Sequence, residues 1–499
     1  MSKLRLPASF LFILLILCRC SEPVPEPVDP QVLSGNVYGQ VTADGQGLPG
    51  VCVSDGVEVC VTDDRGRYTL KSEKENGYVF VSVPSGYEPA RDGVFPKFYA
   101  QCRGTSEDRE KIDFKLVKVN QSKARLLFFG DMHLAGRGFC KDIDQFRDFA
   151  SEADALASSS GCPVYGITLG DMTWDYFWSS NNFAIPEYVK EVRKDFKSLI
   201  LYHTMGNHDN DPSQQGDFLG ERAFRTYLGP TFYSFNVSGV HIVVLDSMVY
   251  SNMPLGQRNF TGRLSDKQIE WLRKDLSYVD KDVPLILTMH TPLYYSSGSQ
   301  ALKNNTELRA ILAGYQSVQF ITAHMHVVYN VDGPDGISET NAGAVCGAWW
   351  MTRYACEYGW NICSDGAPSG YLVMDLSGAP VNSYYKGTGL PEDFQFRVYD
   401  GPSNQVLVNV WNWKPSWKVS VTENGAELPL SRLKDFKDPL YVAVYEDYER
   451  EHGYDVSYPC SGNYHTFRTT ASSASSPVSV RVEDEWGNVW TRTVSRPSE

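Results

Sequence analysis

Apolar runs in the middle of the chain break off, one after another, at a histidine or a carboxylate, and this limits the fold more than any other feature. Leu126-Leu127-Phe128-Phe129 leads into Gly130-Asp131-Met132-His133, and Val164 to Leu169 leads into Gly170-Asp171-Met172-Thr173-Trp174-Asp175. Gly206-Asn207-His208-Asp209, Met289-His290-Thr291 and Ala323-His324-Met325-His326 follow apolar stretches in the same way. Helix-length amphipathic segments separate them, near 142–158 and 186–199, and again from Ser265, where Ser265 and Gln268 form a capping box ahead of Ile269, Trp271 and Leu272. Apolar strands joined by helices predict an α/β or α/β/β layered sheet, with antiparallel stretches at 232–235 and 240–245. In such sheets, sites assemble in the loops beyond the carboxyl ends of the strands, so the polar motifs can converge there. An extended backbone at Asp131 and His133, and at His324 and His326, would point each pair the same way.

Different patterning flanks this middle. Residues 35–118 alternate in period two, as in Val37-Tyr38-Gly39-Gln40-Val41 and Tyr78-Val79-Phe80-Val81-Ser82-Val83, with a hairpin signal at Asp55-Gly56 and a turn at 63–66; they predict a small β-sandwich. Short β-type runs return in 391–499, at 396–399, 406–410 and 478–482, leaving 119–390 as the central domain. A length of 499 residues suits about three such units. The formal net charge of −14 argues against a dedicated nucleic-acid binder, and 42% hydrophobic residues exclude wholesale disorder.

The first 20 residues read as a signal peptide: Lys3 and Arg5 precede an apolar run from Leu6 to Leu17 that is too short to span a bilayer. Leu17-Cys18-Arg19-Cys20 resembles a bacterial lipobox, with Arg19 where Gly or Ala is usual, and residues 21–34 form an acidic, Pro-rich linker. The expectation is an exported protein of the periplasm or cell surface in a Gram-negative bacterium, anchored to the membrane only through lipid on Cys20. Nine cysteines remain beyond Cys18 and Cys20, an odd number; Cys346, Cys356 and Cys363 are close enough for one local disulfide. No CxxC pair has zinc-site spacing.

The motifs combine carboxylate, imidazole and amide without thiolate, a set suited to Mn, Fe or Zn and large enough for two ions. Five of the nine histidines fall in it. In order and type the set resembles the calcineurin-like metallophosphoesterases, whose pattern is DxH, GD, GNH(D/E), a lone His and GHxH. The resemblance implies a four-layer α/β/β/α core between an N-terminal Ig-like or transthyretin-like sandwich and a C-terminal β-rich domain. It implies that Asp171 bridges two divalent ions, with Asp131, His133 and His326 on one and Asn207, His290 and His324 on the other. His208 would stay unligated and act as acid or charge stabiliser, oriented by Asp175 or Asp209. The family often places the orienting Asp one residue earlier, where this chain has Trp174. Purple acid phosphatases carry a metal-ligating Tyr at that same position, and an indole cannot replace it, which disfavours that subclass.

Two-metal chemistry of this type activates a bridging hydroxide for in-line attack on a phosphoester. The segments 344–350 and 364–371 resemble a bacterial exported subgroup of the family, and Trp349 and Trp350 could stack on a base or sugar of the leaving group or pack between domains. The expected partner is a small phosphomonoester or phosphodiester. Two alternatives remain at this point: a pyrophosphatase acting on nucleotide-linked sugars or lipids, and a non-catalytic surface lipoprotein that binds glycan or a partner through its β domains.

Overall fold

In the computed structural model, which describes residues 35–251, 258–295 and 302–496, the run ahead of Asp131 becomes the central strand Ala124–Phe129. The signal peptide, the lipobox at Cys20 and the linker lie outside the described residues. Successive side chains of this strand divide between two cores, as period-two geometry requires. Leu126 and Phe128 face inward with Ile167, Ile242, Ile286 and Phe320. Leu127 and Phe129 face the helix Asp142–Ser159, where Phe129 meets Phe149 edge-on at 5.2 Å.

Two sheets stack on each other. The first runs Ile200–Tyr202, Val164–Thr168, Ala124–Phe129, Gly370–Leu376, Pro380–Gly387, parallel through its first three strands and antiparallel through the last two. The second runs Tyr233–Val237, Val240–Val244, Leu285–Thr288, Val318–Thr322, Ile337–Ala342, Val328–Asp332, with antiparallel pairs only at its two edges. Helices Asp142–Ser159 and Ile185–Asp195 cover the first sheet, and Asp266–Leu276 and Asn305–Leu312 cover the second, giving α/β/β/α layers. Ser265 Oγ accepts from Gln268 N at 3.2 Å, but the return half of the expected capping box does not form, because the Gln268 side-chain amide bonds to Asp246 N and O instead. The helix expected to reach Leu199 ends at Asp195 instead, because Phe196 turns inward between Phe146 and Phe149 while Asp154 accepts from the amides of Lys197 and Ser198.

The flanking regions are β-rich and pack directly on the core. Two sheets built around Val37–Ala43 and Tyr78–Val81 form the N-terminal region, whose core is continuous with the second sheet's: Phe80 meets Trp271 at 6.1 Å and the Ser82 and Ser234 hydroxyls are 2.9 Å apart. Two four-stranded sheets form the C-terminal region around Phe396, Val408, Trp417, Val421 and Val480. Trp411 is buried with core residues, and Trp413 packs on Phe467. His203, His241 and His465 are buried in structural contacts and His452 is exposed.

Among the described residues the cysteines are free. The local disulfide is not present: Cys346, Cys356 and Cys363 are all free, with the Cys346 sulfur against Gly347 O at 3.3 Å and that of Cys363 facing Ala344 O and Pro368 O. Also among the described residues, no helix is long and apolar enough to cross a membrane.

Asp217, Glu221 and Asp246 bring three carboxyls together near Arg225, where burial and the Asp217 charge push Asp246 up to about 8. Unfolding releases a proton from Asp246 between about pH 4 and pH 8, so this group's contribution to stability falls as pH rises through that window and is flat above it. Asp246→Asn keeps an acceptor for the Met248 amide (3.0 Å) and removes the ionisation. Its thermal midpoint at pH 8 is expected to exceed wild type by about 2 °C or more, with the advantage vanishing toward pH 4.

Candidate metal centre

The polar motifs meet where the parallel strands of both sheets end. Close approach of the loops requires two of the glycines: a Cβ on Gly206 would stand 2.2 Å from Asp171 N, and one on Gly170, at φ 91°, would stand 2.7 Å from His290 Nδ1. The extended geometry expected at Asp131/His133 and His324/His326 is not what is found. Asp131, His133, Asp171, His324 and His326 take φ values of 49°, 45°, 53°, 72° and 53°, so they converge because each strand ends in left-handed turns. That conformation costs a non-glycine residue about 1–2 kcal/mol, and such strain gathers at functional sites.

Each carboxylate is pinned by one oxygen and aims the other inward. Asp171 Oδ1 accepts from His208 N at 2.7 Å, and Oδ2 lies 3.5 Å from His133 Nε2 and 3.2 Å from His290 Nε2. Asp131 Oδ2 accepts from His324 N at 3.0 Å, while buried Oδ1 has no hydrogen-bond partner and stands 3.5 Å from His326 Nε2. The imidazoles are oriented from behind: His290 Nδ1 donates to Leu169 O at 2.7 Å and His326 Nδ1 to Gly347 O at 2.8 Å. Their Nε2 lone pairs therefore face the cluster, His290 toward Asn207 Oδ1 (3.1 Å) and His324 Nδ1 (2.9 Å), His326 toward His133 Nε2 (3.0 Å).

Lone pairs facing lone pairs, beside an unpartnered buried carboxylate oxygen, are what cations satisfy, so the residues present fit divalent metal. One donor set is Asp131, His133, Asp171 and His326; the other is Asp171, Asn207, His290 and His324. Without metal the charge imbalance appears in titration. Against burial, His290, His208 and His133 hold Asp171 well below the usual carboxylate range, and against burial Asp171 pushes His290 up to about 9. Cys346 lies near the first set, but its sulfur is on the Nδ1 side of His326 at 3.7 Å and burial keeps its thiol protonated.

His208 stands at the edge of the cluster with its side chain 14% exposed, and Nδ1 is 2.6 Å from Asp175 Oδ1. Asp175 is thus its partner despite the one-residue offset. Asp209 does not orient His208: it is buried and accepts from Thr173 N (2.9 Å) and Gly206 N (3.0 Å), holding two loops together, with burial and Asp171 pushing it up to about 7. Trp174 is buried edge-on to His133. Trp350 is not a substrate contact, since it is 1% exposed with Nε1 donating to Met132 O at 2.6 Å. Trp349 is half-buried and stacks on His326 and Tyr458, so its faces are already occupied.

Two arginines outside every motif brace the centre. Arg137 donates to Trp349 O at 3.1 Å and lies over Trp174 at 4.7 Å. Arg258 donates to Asn207 O at 2.6 Å and pairs with Asp175 Oδ2 at 3.0 Å, so it ties one candidate ligand to the residue that orients His208. No sequence signal marks Arg258, a lone arginine in a loop. Arg258→Ala is expected to lower kcat about tenfold with the fold intact, and Arg258→Lys to recover only part, because an ammonium cannot hold both partners in the guanidinium's planar fork. Steady-state kinetics with a circular-dichroism control checks this.

Three family models match: N terminal of calcineurin-like phosphoesterase over residues 35–119, calcineurin-like phosphoesterase over 124–328, and C terminal of calcineurin-like phosphoesterase over 339–490. The chain belongs to the calcineurin-like phosphoesterases, a family that implies divalent metal ions. It is similar to a probable cyclic nucleotide phosphodiesterase of Rhodococcus erythropolis, 23% identical over 205 residues, which are 40% of this chain and 64% of that protein. It is also similar to purple acid phosphatase 23 of Arabidopsis thaliana, 24% identical over 314 residues, 54% of this chain and 65% of that one. The chain thus spans slightly less than two thirds of the length of either relative. A solved dimetal phosphatase from Danio rerio is similar with a TM-score of 0.34 and 13% identity, covering 58% of this chain and 96% of that chain.

Proposed function

We propose that the protein hydrolyses small phosphomonoesters or phosphodiesters at a centre of two divalent ions, Mn, Fe or Zn. The observation that carries this is Asp171 Oδ2, placed between His133 and His290 so that one carboxylate serves both donor sets. When bound, such ions acidify water and withdraw charge from phosphoryl oxygens. The chain's own residues supply the rest. Asp175 holds His208 Nδ1, which leaves Nε2 free to donate a proton to the leaving oxygen. Arg258 and the Asp171 carboxylate hold the single peptide group that precedes His208, from its Asn207 O and its His208 N.

Family membership and the two relatives, one named a probable cyclic nucleotide phosphodiesterase and the other a purple acid phosphatase, support testing both substrate types. Trp174, where a tyrosine ligand would stand, supports a centre other than the purple type. Lys3, Arg5 and the apolar run to Leu17, with Cys20 after a lipobox-like Leu17, support export and membrane anchoring. A net charge of −14 supports small phosphoesters over nucleic acid as partners.

The test is hydrolysis of an aryl phosphate and a bis-aryl phosphate by metal-loaded wild-type protein. Turnover of either, lost on chelation and restored by metal, is expected; no turnover of either after loading would overturn the reading.

A further inference from the structure

Three rings stand in a row beside the first donor set. The Trp349 ring lies 4.2 Å from that of His326, and the Tyr458 ring lies 3.4 Å from that of Trp349, each pair 21° from parallel. Two rings that close to one indole cannot share a face, so Trp349 is clasped between them. Tyr458 comes from the C-terminal region, from a segment whose Tyr441, Tyr445 and Cys460 share one small apolar cluster with Ala348 and Ile362 of the central domain. Its carbonyl accepts from Tyr441 OH at 2.9 Å, and Cys460 N donates to Glu446 Oε1 at 2.7 Å.

The backbone under the clasp is strained. Trp349 and Trp350 are consecutive non-glycine residues at φ 49° and 65°, a pair that persists only where surroundings over-determine it. Those surroundings are the buried Trp350 indole bonded to Met132 O, the Trp349 carbonyl held by Arg137, and Ala348 N donating to Ile362 O at 2.8 Å. The result places an indole flat on one imidazole of the candidate centre. His326 is then fixed in two ways, by its Nδ1 bond to Gly347 O and by the stacked face.

We propose that the C-terminal region completes the metal centre: Tyr458, acting through Trp349, is a positioning residue that holds His326 at the angle needed to bind the ion shared with Asp131 and His133. This rests on the two-ion reading above. Groups that orient a ligand from behind commonly contribute about 10- to 100-fold in metal affinity. In the second donor set His290 is held by Leu169 O and Asn207 Oδ1, away from Trp349, and meets the first set through the shared Asp171, so the ion there should respond far less to Tyr458.

The experiment is calorimetric titration of chelator-stripped full-length protein with Mn²⁺ or Zn²⁺. Wild type is expected to bind two ions, and Tyr458→Ala to bind one with unchanged affinity and the other about tenfold more weakly, while Tyr458→Phe, which keeps the ring, behaves as wild type. If Tyr458→Ala does not fold, Tyr458→Leu fills the space without a planar face and is expected to show a smaller loss, about threefold, at the same single site. Two ions bound by the alanine or leucine variant as tightly as by wild type, or equal weakening of both, would overturn the role of Tyr458 alone. Wild-type protein that binds no ion would overturn the two-ion reading and this inference together.

Discussion

Asp171→Asn is expected to lower kcat/KM on an aryl phosphate by about 10³-fold or more, with the fold retained. The substitution is isosteric, but an amide has a single acceptor oxygen where the carboxylate has two. One carboxylate oxygen now accepts from His208 N, and the other faces His133 and His290. Asparagine can meet only one of these demands with oxygen. If the oxygen stays on His208 N, the amide NH₂ turns toward the imidazole lone pairs and occupies them; if it turns inward, His208 N loses its partner. The full negative charge is lost either way, from the group that both donor sets share. Metal content measured on the same preparation should fall in parallel, and a variant keeping more than about a tenth of wild-type turnover would count against a shared carboxylate.

His208→Gln is expected to reduce kcat by about 10²- to 10⁴-fold on an alkyl phosphate. The reduction should be much smaller on a nitrophenyl phosphate, whose leaving oxygen needs little protonation. The reason lies in placement: His208 Nδ1 is held by Asp175 at 2.6 Å, and its ring stands at the partly exposed edge of the cluster. Glutamine can bond to Asp175 but cannot carry a transferable proton. Rates on a series of leaving groups separate the possibilities, since a uniform loss across the series would assign His208 to binding, and a loss that steepens with leaving-group basicity assigns it to proton donation.

The layered core was legible in the sequence because central strands such as Ala124–Phe129 and Leu285–Thr288 are largely apolar runs, and most donor residues because they stand within a few residues of such a run's end. Other features depended on contacts that no local pattern carries. The convergence of Asp131 with His133 arises from left-handed turns, which the ordinary preferences of aspartate and histidine do not announce. Asp175 and Asp209 were indistinguishable as partners of His208 by spacing; a single fact of packing, that Asp209 is consumed by the Thr173 and Gly206 amides, separates them. Trp349 and Trp350 read alike as adjacent indoles, yet one is sealed under the Met132 carbonyl and the other is clasped between His326 and Tyr458. Arg258 and Tyr458 reach the centre from loops remote in sequence, where isolated arginines and tyrosines are most often surface residues.

The central claim is that phosphoester hydrolysis requires both donor sets filled. The most direct test is to titrate chelator-stripped protein with Mn²⁺ or Zn²⁺ while following hydrolysis of a bis-aryl or aryl phosphate. Activity that rises with bound metal and saturates near two equivalents per chain is the predicted result. Saturation at one equivalent, or fully loaded protein without turnover, would contradict it.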